Sequence, residues 1–215
     1  MGLAVAVGMA PMLVVLAGAC GNETHAGADG GSPGLPDRDI DRARLDEPVT
    51  VETAGGCSAL VDTPPLLPAA HVAIGTDVTY SSNPPSSGPH YPIWAAYQEF
   101  TTPVDRRYYV HDLEHGAIVL LYKCDDGSGC PEIVQGLRQV AAAIPDDPLC
   151  TALGPTPRVR VVITPDPLID VPIAAAAWGW TYRATCLDVP SLIAFAQAHY
   201  DQGTEDTCGN GQTQF

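Results

Sequence analysis

The chain has 215 residues, of which 46% are hydrophobic, and this length supports one full hydrophobic core rather than two. Its formal net charge of -15, with only ten Lys and Arg residues, excludes the basic surface that nucleic-acid binding requires. Its 21 glycines and 21 prolines predict many turns and a loop-rich surface.

The N-terminal segment has the pattern of an export signal. Residues 1–19 contain no charged side chain and end in small residues before Cys20, in the sequence LAGAC. This pattern is typical of a lipoprotein signal peptide, which is cleaved before a cysteine that carries the lipid. No Lys or Arg precedes the apolar run, so the basic start of such signals is missing. The alternative is a retained membrane-anchor helix, since the run approaches the roughly 20 residues that a span needs.

Both alternatives export the rest of the chain to the cell envelope, in the periplasm or on the outer surface. We expect residues 20–48 to form a lipidated, flexible tether, because they are polar, acidic and rich in glycine. We expect residues 49–215 to form a single domain. The predicted partner is therefore the membrane, through the lipid on Cys20, and the sequence identifies no protein partner.

The remaining cysteines predict three disulfides, because an even number of cysteines in an oxidising compartment favours pairing. They are Cys57, Cys124, Cys130, Cys150, Cys186 and Cys208. Cys124 and Cys130 flank the short turn DDGSG and are expected to pair with each other. The next pairs that we expect are Cys150 with Cys186, and Cys57 with Cys208. The chain has no CxxC motif, which argues against a thiolate metal site.

The predicted regular elements follow a Pro-rich first part of the domain. Residues 57–95 include DTPPLLP and SSNPPSSGPHYP, which favour extended loops, with one short strand at 77–80 between them. The later elements are a buried strand at 117–122, a helix at 131–144, strands at 158–164 and 173–183, and a helix at 190–200. The alanines of 173–183 also suit a helix, but the glycine within this segment favours a strand. The order predicts an α+β fold: a mixed β-sheet with two main helices on one side and long Pro-rich loops over an edge, stapled by disulfides.

The stretch VHDLEHGAIVLLYK, residues 110–123, places two histidines beside the buried strand. If the backbone were extended, His111 and His115 would lie about 13 Å apart and could not share an ion. One helical turn makes them i, i+4 neighbours, about 5–6 Å apart at Cβ, which is the spacing of two-histidine metal sites. Gly116 supports such a turn, because glycine ends a helix readily at this position. We therefore predict one helical turn that presents two imidazoles.

The same letters match His-x-x-Glu-His, in which inverted zinc peptidases use the histidines as ligands and the glutamate as general base. Those enzymes carry the motif within a long helix, whereas glycine ends the turn here. If the protein is a hydrolase, Glu114 is the candidate catalytic base. Otherwise Glu114 and Asp112 are candidates to orient the imidazoles, and Glu114 is also a candidate ligand. The sequence does not decide whether the chain is an enzyme.

A second histidine-bearing stretch, PPSSGPHY, presents His90 at the end of a loop that its prolines stiffen. Gly88 permits a close approach, and the low entropic cost of the stiff loop suits a third ligand. The alternative is that His90 stacks between Tyr91 and Trp94 without binding an ion. We expect His199, on the last predicted helix, to have a structural role only.

Three stretches together resemble the signatures of a bacterial family known as domain of unknown function 3105. They are HVAIGTDVTYSSNPPSSGPHYPIWAAY, VHDLEHGAIVLLY and AAAAWGWTYRA, and the likeness runs from about residue 71 to residue 200. The resemblance implies an exported or membrane-anchored protein and no assigned activity. It also implies that the signature positions in this chain are His71, Ser87, Gly88, His90, His111, Glu114, His115 and Gly116.

The leading hypothesis is a transition-metal site formed by His90, His111 and His115, with His71 or Glu114 as the fourth ligand. Imidazole-rich ligation suits zinc or copper(II), and the scarcity of methionine argues against a copper(I) thioether site. The second hypothesis is a metal-dependent or His/Glu hydrolase. The third is a structural or interaction module without metal, in which the histidines hydrogen-bond loops around three tryptophans, Trp94, Trp178 and Trp180.

Overall fold

The computed structural model describes residues 44–53, 56–124 and 129–215. The predicted signal peptide, Cys20 and the predicted tether up to residue 43 lie outside the described residues. Within the described ranges, no helix is both long enough and apolar enough to cross a membrane. All of these ranges fall in one compact unit, Gly34–Phe215.

Eight strands and four helices make up the described part of the chain. The strands are β1 (Val49–Glu52), β2 (Ser58–Asp62), β3 (Ala70–His71), β4 (Pro89–His90), β5 (Ile118–Tyr122), β6 (Val161–Pro165), β7 (Ile173–Ala177) and β8 (Trp180–Ala184). The helices are α1 (Arg106–Glu114), α2 (Pro131–Ala143), α3 (Pro148–Thr151) and α4 (Val189–His199).

Six of the strands form one mixed sheet in the order β1-β2-β8-β7-β5-β6. β5 and β6 run parallel, and the chain between them contains α2 and α3. The other neighbours in this sheet pair antiparallel. β3 and β4 form a separate parallel pair, in which His71 lies opposite His90. This short pair brings two distant histidines together.

The centre of the sheet separates two hydrophobic layers. Because side chains alternate along a strand, Ile118 and Leu120 of β5 face one layer, whereas Val119 and Leu121 face the other. Residues of α2 and α4 cover the first layer, and residues of α1 cover the second. Helices on both faces explain why every residue of β5 is buried. The predicted α+β fold with two main helices on one side is therefore confirmed, and α1 is an additional helix on the opposite side.

The segment 173–183 is a hairpin, so the prediction of one strand was wrong. β7 and β8 pair antiparallel, with Ala177 opposite Trp180 across a turn at Gly179. Gly179 has a φ of +78°, a left-handed conformation that glycine adopts without strain. Gly179, which we predicted to lie inside one strand, therefore lies in the turn between two strands.

Two other predicted elements were misplaced. Residues 77–80 form no strand, and the Tyr80 hydroxyl donates instead to the carbonyl of Pro89 at 3.0 Å. β6 begins at Val161, later than predicted, and the Arg158 guanidinium donates to backbone carbonyls at the end of α2. β1, β2 and α3 were not predicted, since such short elements depend on packing against distant parts of the chain.

The disulfide pattern confirms one predicted pair and corrects two. Cys124 is bonded to Cys130, as the short turn between them predicted. The other bonds are Cys57–Cys186 and Cys150–Cys208, so the predicted pairs Cys150–Cys186 and Cys57–Cys208 were wrong. β2 and β8 are antiparallel neighbours, and their register places Cys57, just before β2, opposite Cys186, two residues after β8. The C-terminal end of the chain passes α3, which brings Cys208 next to Cys150 in that helix.

Arg160 carries a buried charge just before β6, with only 1% of the residue exposed. Its guanidinium donates to three carboxylates, at 3.0 Å to Asp147, 2.5 Å to Asp201 and 3.1 Å to Asp206. It also donates to the backbone carbonyl of His115 at 2.5 Å. Burial opposes ionisation of Asp147, but hydrogen bonds and the charge of Arg160 outweigh burial and lower the pKa of this carboxyl. The interaction joins α3, β6 and the C-terminal segment.

Replacement of Arg160 by methionine is expected to lower the free energy of unfolding by about 3–5 kcal/mol, because the variant leaves the buried carboxylate of Asp147 without its cation. Urea unfolding followed by circular dichroism at neutral pH measures this change.

Arg138→Met is the matched control. Arg138 pairs with Glu99 at 2.6 Å, but its side chain is 60% exposed, and such surface pairs contribute little to stability. We expect the urea midpoint of this variant to match that of the unmodified protein. Equal destabilisation by the two substitutions would contradict the role assigned to Arg160.

Candidate metal centre

Helix α1 carries two of the candidate ligands on one face. Asp105 caps its N-terminus by accepting a hydrogen bond from the Arg107 N–H at 2.9 Å. His111 and Glu114 are three residues apart near its end, so their side chains lie on the same side. The helix spans Arg106–Glu114, so the predicted single turn is the last part of a longer helix.

The end of α1 has the geometry that the sequence predicted. Its last residue is followed by His115 as the C-cap, whose N–H donates to the His111 carbonyl at 3.2 Å. Gly116 follows with a φ of +84°, the left-handed conformation in which glycine ends a helix without strain. The chain then enters β5 directly.

The Pro-rich loop delivers the other two candidate ligands. The parallel pairing of β3 and β4 places His71 beside His90, and the Val72 N–H donates to the His90 carbonyl at 2.8 Å. The Tyr91 N–H donates to the Arg107 carbonyl at 3.0 Å, which holds β4 against the first turn of α1. The loop and the helix therefore converge on one place.

Four side chains come together there and form what we call the metal centre: His71, His90, His111 and Glu114. One ligand atom from each lies within 4.8 Å of the others. The ring centroids of His90 and His111 are 4.7 Å apart, and those of His71 and His111 are 4.9 Å apart. His71 is exposed, whereas the other three residues are buried. The structure thus contains a His/Glu group within metal-binding distance.

Backbone carbonyls fix the orientation of the two buried imidazoles. Nδ1 of His90 lies 2.9 Å from the Gly88 carbonyl, and Nδ1 of His111 lies 2.7 Å from the Tyr91 carbonyl. A carbonyl oxygen only accepts, so both Nδ1 atoms carry the proton and donate. In the neutral rings, both Nε2 atoms therefore keep a free lone pair. This arrangement is the one in which metal-bound histidines are held in proteins.

The Nε2 atom of His90 faces a carboxylate. It lies 2.9 Å from Oε2 of Glu114, yet it has no hydrogen-bond partner within the described residues. A hydrogen bond requires a suitable angle as well as a short distance. The two atoms are close enough for a hydrogen bond, but their angle does not suit one. Two lone-pair donors at this distance repel each other unless a cation or a proton lies between them. The contact therefore has room for a shared cation or proton.

His111 is held in its neutral form. Burial lowers its pKa from 6.5 to about 2, and the neighbouring His115, His90 and His71 add to this effect, against the hydrogen bond to Tyr91. A neutral imidazole is the form that binds a metal ion. His111 is therefore available as a ligand without losing a proton at neutral pH.

His115, which the sequence predicted as a ligand, lies beside this group of four residues and outside it. Its ring centroid is 4.5 Å from that of His111, so the two histidines are neighbours as predicted. However, its Nε2 lies 3.2 Å from Glu205 and its Nδ1 lies 3.4 Å from the Tyr97 hydroxyl. The hydrogen bond with His115 outweighs burial and lowers the pKa of Glu205. Both ring nitrogens of His115 are thus already engaged.

Sequence reasoning did not identify Glu205 and Tyr97 as the partners of His115. Glu205 comes from the C-terminal segment, whose N–H donates to the Glu114 carbonyl at 2.9 Å and so docks on the end of α1. Neither residue stands in a recognisable motif, and both lie far from His115 along the chain. The helical spacing predicted proximity correctly but contained no information on these competing partners.

Asp112 does not orient an imidazole, contrary to one of the predicted roles. It is completely buried, and its carboxylate accepts a hydrogen bond from the Ala95 N–H at 3.2 Å. Burial raises the pKa of this carboxyl well above its ordinary value. Its role is to hold the segment after β4 against α1.

The aromatic residues near the histidines do not form the stack that we considered as an alternative. His90 packs against His71, with ring centroids 5.2 Å apart, rather than between Tyr91 and Trp94. Trp94 instead lies against His115 at 4.8 Å. His199 stacks on Trp180 at 4.1 Å, which agrees with a structural role on α4.

The fold and the metal centre define an α+β domain in which one helix and one Pro-rich loop present three histidines and a glutamate. The chain belongs to the family described as protein of unknown function (DUF3105), whose model matches residues 71–212. This match confirms the resemblance noted in the sequence, and it includes all four residues of the metal centre. Comparisons with curated proteins and with solved structures give no match.

The metal-free protein is expected to keep His111 neutral from pH 6.5 down towards pH 2, because its pKa falls to about 2 on folding. The unfolded chain protonates this residue near its ordinary pKa of 6.5, so the unfolded state binds more protons within this window. The contribution of His111 therefore lowers stability as the pH falls, by up to about 1.4 kcal/mol per pH unit. Long-range ¹H–¹⁵N NMR spectra of the imidazoles measure the protonation state directly. Titration of His111 near its ordinary pKa would contradict this prediction.

Proposed function

We propose that this protein binds a transition-metal ion at the metal centre, on a domain that is exported and held at the cell envelope by a lipid on Cys20. One observation carries the proposal: Nε2 of His90 and the carboxylate of Glu114 lie 2.9 Å apart without a hydrogen bond, in a buried position. A cation between them would satisfy both groups at once. The neutral imidazole of His111 adds a further donor.

The donor set supports zinc or copper(II). Three imidazoles and one carboxylate suit both ions, and neither thiolate nor thioether groups belong to the centre. All three methionines of the chain lie within its first 12 residues, so the domain itself offers no thioether to copper(I). Ligand atoms around a tetrahedral zinc ion lie about 3.3 Å apart, which follows from bond lengths of about 2.0 Å. Ion binding would therefore draw the widest separations, of up to 4.8 Å, closer together and would move His90 and Glu114 slightly apart from their present 2.9 Å.

The disulfides support the exported location. Six of the seven cysteines form three bonds, and such bonds persist in non-reducing compartments. The lipid on Cys20 and the membrane as partner rest on the sequence pattern of the N-terminal segment.

A hydrolase receives less support from the geometry. The His-x-x-Glu-His motif requires both of its histidines on the metal, whereas His115 is engaged by Glu205 and Tyr97. Glu114 lies among the donor atoms, where it serves as a ligand rather than as a free general base. We therefore place metal binding ahead of catalysis.

Isothermal titration calorimetry on the chelator-treated full chain tests the proposal. We expect one zinc or copper(II) ion per chain, and we expect His111→Gln to weaken binding by at least roughly 100-fold, since it removes a buried ligand. His115→Gln is expected to retain binding, because His115 lies outside the metal centre.

His199→Gln is the matched control, since it alters a histidine on α4 that stacks on Trp180. We expect this variant to bind metal as the unmodified chain does. Absence of saturable binding in the unmodified chain would overturn the proposal and favour the structural module. Equal loss of binding in the His111 and His199 variants would show that the effect is not specific to the centre.

A further inference from the structure

One of the four residues of the metal centre differs from the rest in its exposure. His90, His111 and Glu114 are 0%, 3% and 7% exposed, whereas His71 is an exposed residue. A metal ion bound by all four donors would thus have three buried ligands and one ligand in contact with solvent. Another molecule could therefore reach the ion from the side on which His71 lies.

The buried ligands are also anchored more firmly than His71. Hydrogen bonds from Nδ1 to backbone carbonyls hold His90 and His111 in position. Glu114 lies in the last turn of α1, whose end is capped by the C-terminal segment. Within the described ranges, neither ring nitrogen of His71 has a hydrogen bond, and the ring lies beside the imidazoles of His90 and His111.

The backbone around His71 gives the ring further freedom. β3 contains two residues and pairs with β4 alone. The residues on both sides of His71 are largely exposed, and they include the apolar side chains of Leu66 and Ile74, at 46% and 63% exposure. A side chain at such a position can turn into solvent at little energetic cost, because it leaves no buried group unsatisfied.

We propose that His71 is an exchangeable ligand, that the ion leaves the metal centre when an incoming imidazole replaces His71, and that it enters by the reverse exchange. This proposal rests on the function proposed above. In the exchange step, the nitrogen lone pair of the incoming ring forms a bond to the ion, while the bond from the His71 nitrogen breaks. Both rings are neutral, so neither the charge nor the oxidation state of the ion changes. The centre is therefore suited to passing an ion on to a histidine-bearing acceptor.

The test measures the release of metal from the zinc-loaded full chain into an excess of a chromogenic chelator, at increasing concentrations of free imidazole. Copper(II) replaces zinc if calorimetry selects copper. Imidazole is expected to accelerate release from the unmodified chain, because it competes with His71. His71→Ala is expected to release the ion roughly tenfold faster or more without imidazole, since one ligand is missing. Imidazole should slow release from this variant, because it fills the open position.

Imidazole should thus accelerate release from the unmodified chain and slow release from His71→Ala. A purely structural role for His71 does not produce these opposite effects. His199→Ala, handled identically, should behave as the unmodified chain does. Release from His71→Ala at the unmodified rate would overturn the proposal, as would a complete loss of zinc binding in that variant while the unmodified chain binds. If the unmodified chain itself binds neither zinc nor copper(II), the proposed function fails, and this outcome is separate from a failure at His71.

Discussion

The buried charge of Arg160 is the interaction on which the arrangement of the site depends. Its guanidinium gathers carboxylates from α3 and from the C-terminal segment, and it donates to the carbonyl of His115. The same segment bonds to the end of α1, where a Cβ atom on Gly203 would lie 2.0 Å from the Glu114 carbonyl oxygen. Only glycine permits this approach. The end of α1 is thus held between β5 and the C-terminal segment, and this position decides where its side chains point.

The metal centre joins a rigid part of the molecule to a less restrained one. α1 packs on the sheet through a buried hydrophobic layer, so the close packing of the core restricts the motion of His111 and Glu114. His90 is fixed by the Gly88 carbonyl and by the pairing of β4 with the helix backbone. His71 belongs to the exposed part of the loop. The group therefore combines three side chains in a fixed geometry with one that is exposed.

The sequence predicted the local features of this protein better than the long-range ones. Local periodicity located β5, α2 and α4, and the i, i+4 spacing brought His111 and His115 together. The wrong disulfide pairs and the engagement of His115 by Glu205 both depend on the return of the C-terminal segment. Sequence separation alone contains no information on which distant segments meet. The sequence identified the Pro-rich loop as a source of candidate ligands, but it did not predict the parallel pairing of His71 with His90. The two strands that pair have only two residues each, which is too short for a periodic pattern to be recognised.

The bond between Cys57 and Cys186 has a mechanical consequence for a chain pulled from its N-terminal end. Tension along this end would first peel β1 from the sheet, since β1 is the edge strand and pairs with β2 on one side. At Cys57 the load would pass through the covalent bond to the chain after β8 and bypass β2. Unravelling would stop at that point, and the strands and helix around the three histidines would bear no direct force.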